Sequence, residues 1–357
     1  SVVADGPLME AGVDSLGAVE LRIQLQSAVG DSIRLPSTLI FDHPTARQLV
    51  AVIQPAESTT AAQPLSAPSG LMSDVGSARF KVQFGGMSAL FPAGAANMSA
   101  VRDMAATGRD TVTEVPIARW DLAAQPVLPE PIASRVRHGG FVLECSLIDN
   151  AAFGVSPAEA AAMDPQQRLL MEHGYAALHD SGMNRAALSG SLTGIFLGIA
   201  SNDYQAVLAT SPAGGSVYAA TGSSMSIASG RLSYALGLNG PCMSFDTACS
   251  AALSAAHTGL RALQNAECSI ALVSGVTLML APGIGTSFAI AGMTSPRGRC
   301  HTFDERADGY CRGEGCGSVA MQHDVGEWAA LSLSGSAVRQ DGRSASLTAP
   351  SGPAQQG

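Results

Sequence analysis

A low-complexity stretch at residues 55–76 constrains the fold of this 357-residue chain more than any single motif does. It consists mostly of Ala, Ser, Thr, Pro and Gln, with few large apolar side chains. Such a stretch cannot bury enough surface to offset the entropy lost on ordering, so it predicts a flexible linker. We therefore expect a short N-terminal unit and a large C-terminal unit.

The N-terminal unit has the periodicity of helices. Thr45 can cap a helical run that follows the sequence DHPT, and Gly30 is a stop signal for the run before it. A unit this short makes only a small core, so we expect that an earlier helix precedes it. The apolar positions of the first run are Leu16, Val19, Leu21, Ile23, Leu25 and Ala28.

The C-terminal unit alternates between two kinds of run. Helix-like runs at 165–181, 225–236 and 250–264 lie among strand-like ones. This alternation favours an α/β domain with helices layered on a sheet. The strand-like runs are GIFLGIA, PCMSFD, SIALVSGVTLML, GSVAMQ and ALSLSGSAV.

Charge and cysteine content narrow the classes of function. A net charge of −9 argues against a nucleic-acid partner. No apolar run reaches membrane-spanning length, and the first ten residues lack the features of a signal peptide. Seven cysteines without tight spacing predict reduced thiols, and hence a cytoplasmic, reducing location.

Ser15 lies in GVDSLGAVELR, at the first turn of the first predicted helix. An isolated serine there is ordinarily a cap. Together with LPSTLIFDHPT downstream, however, this segment resembles the acyl carrier domains of polyketide and fatty acid synthases. The resemblance implies that a phosphopantetheinyl transferase attaches 4'-phosphopantetheine to Ser15. A helix start suits the phosphodiester because its N–H groups are unpaired and its dipole is positive.

Cys249 lies in DTACSAAL, between a strand-like and a helix-like run. A free cysteine in apolar surroundings is more often a packing residue than a nucleophile. Here a predicted helix begins beside the sulfur, and a helix N-terminus favours the thiolate. The flanking residues are small, so an extended substrate can approach. A backbone N–H at this turn can also stabilise the oxyanion of an attacked thioester.

The C-terminal unit resembles the ketosynthase domains of type I polyketide synthases. The matching segments are GPCMSFDTACSAALSAAHTGLRAL, MDPQQRLLMEHGYAALHDSG, SGRLSYALGLNGP, ECSIALVSGVTLML and SPRGRCHTFDERADGYCRGEGCGSVAMQ. The resemblance implies an α/β, thiolase-like layered ketosynthase domain, preceded by part of an all-α acyl carrier bundle. We expect the C-terminal part of a carrier domain at 1–54, the linker at 55–79, and the N-terminal part of a ketosynthase at 80–357.

The family chemistry is an acyltransferase reaction followed by condensation. By resemblance, Cys249 accepts an acyl group from a carrier domain, and a malonyl-type extender then loses carbon dioxide and attacks the acyl-cysteine. The resemblance also implies a homodimer, with the strand before Cys249 near the two-fold axis. The family's later histidine and lysine segments, similar to EPHGTGT and KSNxGH, do not occur in these residues. The alternatives are therefore a carrier scaffold and an acyl-binding domain that does not condense.

Three other features invite functional interpretations that the sequence disfavours. His257 follows Cys249 by eight residues, about 12 Å along a helix, which is too far for a nucleophile–base pair. Cys300, His301, Cys311 and Cys316 lack the CxxC spacing of zinc sites. The GEGCG run lacks the Lys-Ser/Thr of a phosphate-binding loop, so we expect a tight backbone turn followed by a strand.

Overall fold

The structure is a computed structural model that describes residues 4–8, 15–30, 35–36, 39–53, 81–143, 145–323, 331–344 and 351–356. The chain divides into two compact units, one of residues 1–76 with 339–357 and the other of residues 77–338. The linker predicted over 55–79 lies outside the described residues and stays a prediction.

The first unit contains short helices around a small apolar core. Thr45 caps one of them: its Oγ1 accepts a hydrogen bond from the Gln48 amide, and the Gln48 side chain accepts one from the Thr45 amide, both at 3.3 Å. The predicted stop at Gly30 has a φ of 72°, as expected of a glycine that ends a helix. The helices are α1 (Ser15–Val29), α2 (Leu39–Asp42) and α3 (Ala46–Ile53), and the buried apolar residues are Leu8, Ala18, Leu35, Leu39, Ile40 and Leu49.

The second unit contains all the described strands and all but one of the remaining described α-helices. Its strands are β1 (Val82–Leu90), β2 (Val112–Glu114), β3 (His138–Gly140), β4 (Thr193–Ile199), β5 (Cys242–Phe245), β6 (Ile270–Thr277), β7 (Gly315–His323) and β8 (Ser332–Leu333). Its helices are α4 (Met98–Thr107), α5 (Ile132–Arg135), α6 (Pro157–Ala162), α7 (Pro165–Asp180), α8 (Arg185–Leu188), α9 (Asp203–Ala209), α10 (Ala219–Gly222), α11 (Met225–Leu236), α12 (Ala251–Gln264) and α13 (Pro282–Ile290). A last helix, α14 (Gly352–Gln356), belongs to the first unit.

Six strands form one mixed sheet in the order β5-β4-β6-β7-β1-β8. β4 pairs in parallel with β5 and β6, whereas the β6–β7, β7–β1 and β1–β8 pairs are antiparallel. β5 is an edge strand of this sheet. β2 and β3 form a separate two-stranded sheet.

Helices cover both faces of the large sheet, so the predicted layered α/β class is confirmed. Side chains of β4 and β6 alternate between the two faces, as strand geometry requires. Ile195 and Leu272 pack in a core cluster with residues of α7 and α11, while Phe196 and Val273 pack with residues of α12. Because β4 and β6 are buried on both sides, their sequences are nearly continuous apolar runs.

The structure differs from the sequence predictions at three places. The run ALSLSGSAV yields only the two-residue β8 within the described residues. Strand β1 was not predicted, because the pair Gly85–Gly86 and a register shift between Phe84 and Gly86 interrupt its alternation. The predicted tight turn at GEGCG is wrong, because Gly313 forms a parallel bridge with Gly140 and β7 begins inside the motif at Gly315.

Candidate active site

Cys249 lies on a strained turn that joins β5 to α12, which we call the β5–α12 turn (residues 246–250). The Asp246 carboxylate opens the turn by accepting a hydrogen bond from the Ala248 amide at 3.1 Å. Ala248 then adopts a φ of 52°, in the left-handed region that costs a non-glycine residue about 1 to 3 kcal/mol. Such strain at the position before a candidate nucleophile is typical of functional turns.

The turn leaves the cysteine open to solvent at the start of a helix. Cys249 is exposed, and α12 begins two residues later at Ala251. Within the part of the chain that the structure describes, no acceptor is hydrogen-bonded to the Cys249 amide, whereas the amides of Ser250 and Ala251 donate to Thr247 and Ala248. A thiol and an unpaired N–H are therefore side by side at the positive end of α12, as acyl transfer requires.

Close backbone packing explains why this helix starts where it does. A Cβ on Gly198 of β4 would lie only 2.4 Å from the Ala252 amide nitrogen, so only glycine lets the first turn of α12 lie against β4. Ala252 also approaches Gly275 of β6 within 3.0 Å of an added Cβ. Glycines on two parallel strands thus allow close packing of the helix that follows the candidate nucleophile.

The loop after β6 is held by three buried side chains from separate parts of the chain. Gln166 accepts a hydrogen bond from the Leu278 amide at 3.2 Å. Glu314 accepts from Met279 at 2.9 Å, and Asp203 accepts from Leu280 at 3.2 Å. Since β5 and β6 run parallel to β4, this loop and the β5–α12 turn leave the same end of the sheet, where α/β proteins form their sites.

Glu314, one of these three buried anchors, is the acidic residue of GEGCG. Its side chain is 0% exposed and pairs with Arg119, whose guanidinium Nη2 lies 2.7 Å from Glu314 Oε2. Glu314 also accepts a hydrogen bond from the Val142 amide at 2.7 Å. A buried pair with every oxygen bonded fixes geometry, and removing one partner is strongly destabilising.

Tyr310 is an electrostatic neighbour of Cys249. Burial raises the pKa of the Tyr310 hydroxyl, the positive charge of Arg312 opposes that rise, and the negative charge of a Cys249 thiolate adds to it. Tyr310 and Arg312 also line a cavity of about 680 Å³, together with Trp120, Phe141 and Met279. Sequence reasoning missed Tyr310, because the irregular segment before β7 has no periodicity to single it out.

Ser15, the predicted attachment residue, is the first residue of α1. Residues 9–14 and the Ser15 side chain lie outside what the structure describes. α1 has fifteen residues, long enough for a developed dipole at its start. The backbone position of Ser15 therefore fits a phosphate-bearing group.

His257, the histidine that the sequence made tempting, has a hydrogen-bond partner other than Cys249, and so do two further histidines. His257 Nδ1 lies 2.8 Å from Ser336 Oγ, and His323 Nε2 lies 3.0 Å from the Leu263 carbonyl oxygen. His173 Nδ1 lies 2.8 Å from Ser88 Oγ, and burial lowers the pKa of its ring. Among the described residues, no group of three or more His, Cys, Asp or Glu side chains is arranged to hold a metal ion. No described helix is both long and apolar enough to cross a membrane.

Comparison with known proteins gives two family matches. Residues 80–324 match the β-ketoacyl synthase N-terminal domain, and residues 1–53 match the phosphopantetheine attachment site. Two solved ketosynthases are similar over 68% of the chain. One, from module 6 of the bacillaene synthase of Bacillus subtilis, has 34% identity and a TM-score of 0.59. The other, an oxazolomycin ketosynthase domain of Streptomyces albus, has 31% identity and a TM-score of 0.61.

Curated relatives match almost the whole chain. Polyketide synthase GfsB of Streptomyces halstedii is 41% identical over 97% of it, and mycoketide-CoA synthase of Mycobacterium tuberculosis is 39% identical over 99%. The chain spans only 6% and 8% of the length of these two relatives. It spans 39% and 42% of the two solved ketosynthase chains.

Proposed function

Since this chain belongs to the β-ketoacyl synthase family of modular polyketide synthases, and carries a phosphopantetheine attachment site before the ketosynthase domain, we propose that Cys249 is its acyl-accepting nucleophile. The observation that carries this proposal is the β5–α12 turn, where an exposed thiol and an unpaired amide lie together beside a strained alanine. The reaction class is acyl transfer from a carrier-bound thioester, followed by condensation.

The first step is transthioesterification. The Cys249 thiolate attacks the carbonyl carbon of an incoming acyl thioester, and the carbonyl oxygen becomes an oxyanion. The Cys249 amide donates to that oxyanion at the start of α12, where the dipole also stabilises negative charge. The carbon–sulfur bond of the incoming thioester then breaks, its thiol leaves, and the acyl group stays on Cys249.

The second step is decarboxylative condensation. A malonyl-type thioester loses carbon dioxide, and the electron pair of the broken carbon–carbon bond attacks the acyl-cysteine carbonyl. The Cys249 thiolate leaves, so the thiol is free for the next acyl group. This step is proposed from the family resemblance, in which histidines and a lysine of other segments assist the decarboxylation.

We propose that Ser15 holds 4'-phosphopantetheine. This group supplies a thiol on a long tether, which raises the effective concentration of an acyl chain at a nearby site. The start of α1 contributes unpaired N–H groups to the phosphodiester. A phosphopantetheinyl transferase is the partner that this assignment requires.

Domain bounds, location and dimerisation complete the proposal. The family matches support a carrier domain at 1–54 and a ketosynthase domain from residue 80, with the linker at 55–79 between them. The unpaired cysteines support a reducing, cytoplasmic location. β5 supports a homodimer through this edge strand, because Met243 is 39% exposed there and an unpaired edge is a template for strand pairing.

Acyl loading tests the nucleophile directly. The chain is incubated with a radiolabelled acyl N-acetylcysteamine thioester, and bound label is counted after denaturation. Cys249→Ala is expected to lose the label, whereas Cys242→Ala, which removes an exposed thiol from the neighbouring strand, should load like the parent. Equal labelling of the Cys249→Ala variant and the parent would contradict the proposal.

A second experiment tests the attachment of 4'-phosphopantetheine to Ser15. The chain is incubated with coenzyme A and a phosphopantetheinyl transferase, and the added mass is mapped to a peptide. Ser15→Ala should block the addition, whereas Ser27→Ala, on an exposed position of the same helix, should not.

For the dimer, Met243→Glu should shift the sedimentation coefficient from that of a dimer to that of a monomer, and an unchanged coefficient would place the interface elsewhere.

A further inference from the structure

Two cysteines outside the proposed active site are in direct contact. Cys300 and Cys311 lie at the two ends of the segment CHTFDERADGYC, and the Cys311 amide donates a hydrogen bond to Cys300 Sγ at 3.1 Å. Cys300 is exposed and Cys311 is partly exposed, so oxidants in solution can reach this pair. Neither the proposed acyl transfer at Cys249 nor the attachment of 4'-phosphopantetheine involves these two cysteines.

The contact brings the two sulfur atoms within reach of each other. Cys311 Sγ is only three bonds from the amide nitrogen that touches Cys300 Sγ. At present the Cys311 thiol faces the Arg312 carbonyl oxygen at 3.5 Å. Rotation of the Cys311 side chain can therefore bring the sulfurs together without unfolding the segment, as a disulfide requires.

The segment between the cysteines is anchored near its C-terminal end by Asp308 and strained at Phe303. Asp308 accepts hydrogen bonds from Ser295 Oγ at 2.6 Å and from Arg297 Nε at 2.8 Å. Phe303 is a fully exposed aromatic residue with a φ of 59°, a conformation that bulky residues rarely adopt. Tyr310, which precedes Cys311, is the electrostatic neighbour of Cys249. A disulfide between Cys300 and Cys311 would therefore form next to Tyr310, which is close enough to Cys249 to feel its charge.

We propose that Cys300 and Cys311 form a reversible intramolecular disulfide, with a peroxide as the oxidant. This modification is independent of the proposed acyl transfer. The Cys300 sulfur attacks one peroxide oxygen, the O–O bond breaks, and water leaves, so Cys300 becomes a sulfenic acid. The Cys311 sulfur then attacks the Cys300 sulfur. The S–O bond breaks, and the departing hydroxide takes the Cys311 proton to leave as water. Two electrons pass to the peroxide, and a dithiol reductant restores both thiols by exchange.

The environments of the two thiols assign their roles. Burial raises the pKa of the Cys311 thiol to about 11, and the neighbouring Cys300 adds to that rise. Cys311 is therefore protonated at neutral pH and suits the second, resolving position. Cys300 is the more exposed of the two, so the peroxide reaches it first.

Peptide mapping tests the cross-link. The full chain is treated with hydrogen peroxide, remaining thiols are blocked with N-ethylmaleimide, and the protein is digested with trypsin without reduction. Trypsin cleaves after Arg299, Arg306 and Arg312, so the disulfide would join the peptides 300–306 and 307–312. Their joint mass is expected two hydrogens below the sum of the free thiol peptides, and dithiothreitol should separate them.

Variants keep the proposal falsifiable even where a substitution alters folding. Cys311→Ser should leave the sulfenic acid of Cys300 open to dimedone, whereas Cys242→Ser, at another exposed thiol, should still give the cross-linked peptides. The proposal is overturned if oxidised parent chain carries N-ethylmaleimide on both Cys300 and Cys311. Overoxidation of Cys300 without any link to Cys311 would overturn it equally.

Discussion

Cys249 and Cys316 show how differently one residue type is placed in the same domain. Cys249 lies exposed on the β5–α12 turn, between a left-handed alanine and a helix start. Cys316 lies on β7 and is 0% exposed. Its cross-strand partners are Val276 on the neighbouring β6 and Leu90 on the neighbouring β1. Burial raises the pKa of the Cys316 thiol to about 12. The difference indicates that backbone position, rather than local composition, separates an exposed thiol from a packing one.

The largest expected effect is the difference in alkylation rate between Cys249 and Cys316. At pH 8 a thiol with a pKa near 12 is almost wholly protonated, so native Cys316 should react at least about 10³-fold more slowly than an ordinary exposed thiol. Iodoacetamide labelling followed by peptide mass analysis measures both sites, with exposed Cys242 as the reference. Labelling of Cys316 within tenfold of Cys249 would show that the two environments are not distinct.

The second largest expected effect is on the pH dependence of stability. It compares two aspartates, Asp164 in the interior and Asp246 on the β5–α12 turn. Burial raises the pKa of Asp164 to about 6, although hydrogen bonds from Gln166 oppose the rise. Between the unfolded value near 3.8 and about 6, the folded protein holds a proton that the unfolded chain has released. Stability therefore falls as pH rises through this window, by about 2 to 3 kcal/mol for an isolated group.

Asp164→Asn should remove that loss. The free energy of unfolding of the variant, measured by urea titration from pH 4 to 7, should rise relative to the parent up to about pH 6 and then level off. Asp246→Asn is the matched control, since Asp246 is exposed and also accepts from a backbone amide two residues ahead. We expect the control to change stability by no more than about 0.5 kcal/mol at each pH. Parallel pH curves for parent and Asp164→Asn would contradict the expectation.

Truncating each thiol should separate stability from chemistry. Cys316→Ala leaves a small cavity between packed strands, and we expect a loss of about 1 kcal/mol. Cys249→Ala removes an exposed sulfur and should change stability by less than about 0.5 kcal/mol. Thermal unfolding of both variants checks this. A larger loss for Cys249→Ala than for Cys316→Ala would mean that Cys249 serves packing.

Relief of the strain at Ala248 is the smallest effect. Glycine adopts a φ of 52° without penalty, so Ala248→Gly should stabilise the protein by up to about 1 kcal/mol. Ala252→Gly, inside α12, should instead destabilise it by about 1 kcal/mol. Chemical denaturation of the two variants gives the comparison, and destabilisation by both would show that Ala248 carries no strain.

The longer helices and the central strands were predictable from the sequence because their patterns are local. The observed α11 has the predicted bounds, and α7 ends within one residue of the prediction, since both runs carry clear helical periodicity. The same holds for the β5–α12 turn, where strand-like and helix-like runs meet at Cys249. The resemblance to ketosynthases added the thiolase-like arrangement of the layers and the role expected of this cysteine.

The supports of the site were not predictable, because they depend on contacts between distant positions. Gln166, Asp203 and Glu314 converge on three consecutive amides after β6, and no spacing in the sequence relates them. The hydrogen bond between the amide of Cys311 and the sulfur of Cys300 likewise depends on how the segment between them folds back. Side-chain anchors of this kind emerge only once the layers are assembled.

The most direct test of the central claim is a map of where an acyl group lands. The chain is mixed with a limiting amount of acyl thioester at pH 7, quenched in acid, digested, and every cysteine peptide is weighed. We predict that the peptide containing Cys249 carries the acyl mass, while those containing Cys242, Cys300 and Cys316 remain unmodified. Acyl groups spread over the exposed cysteines, or absent from Cys249, would contradict the account.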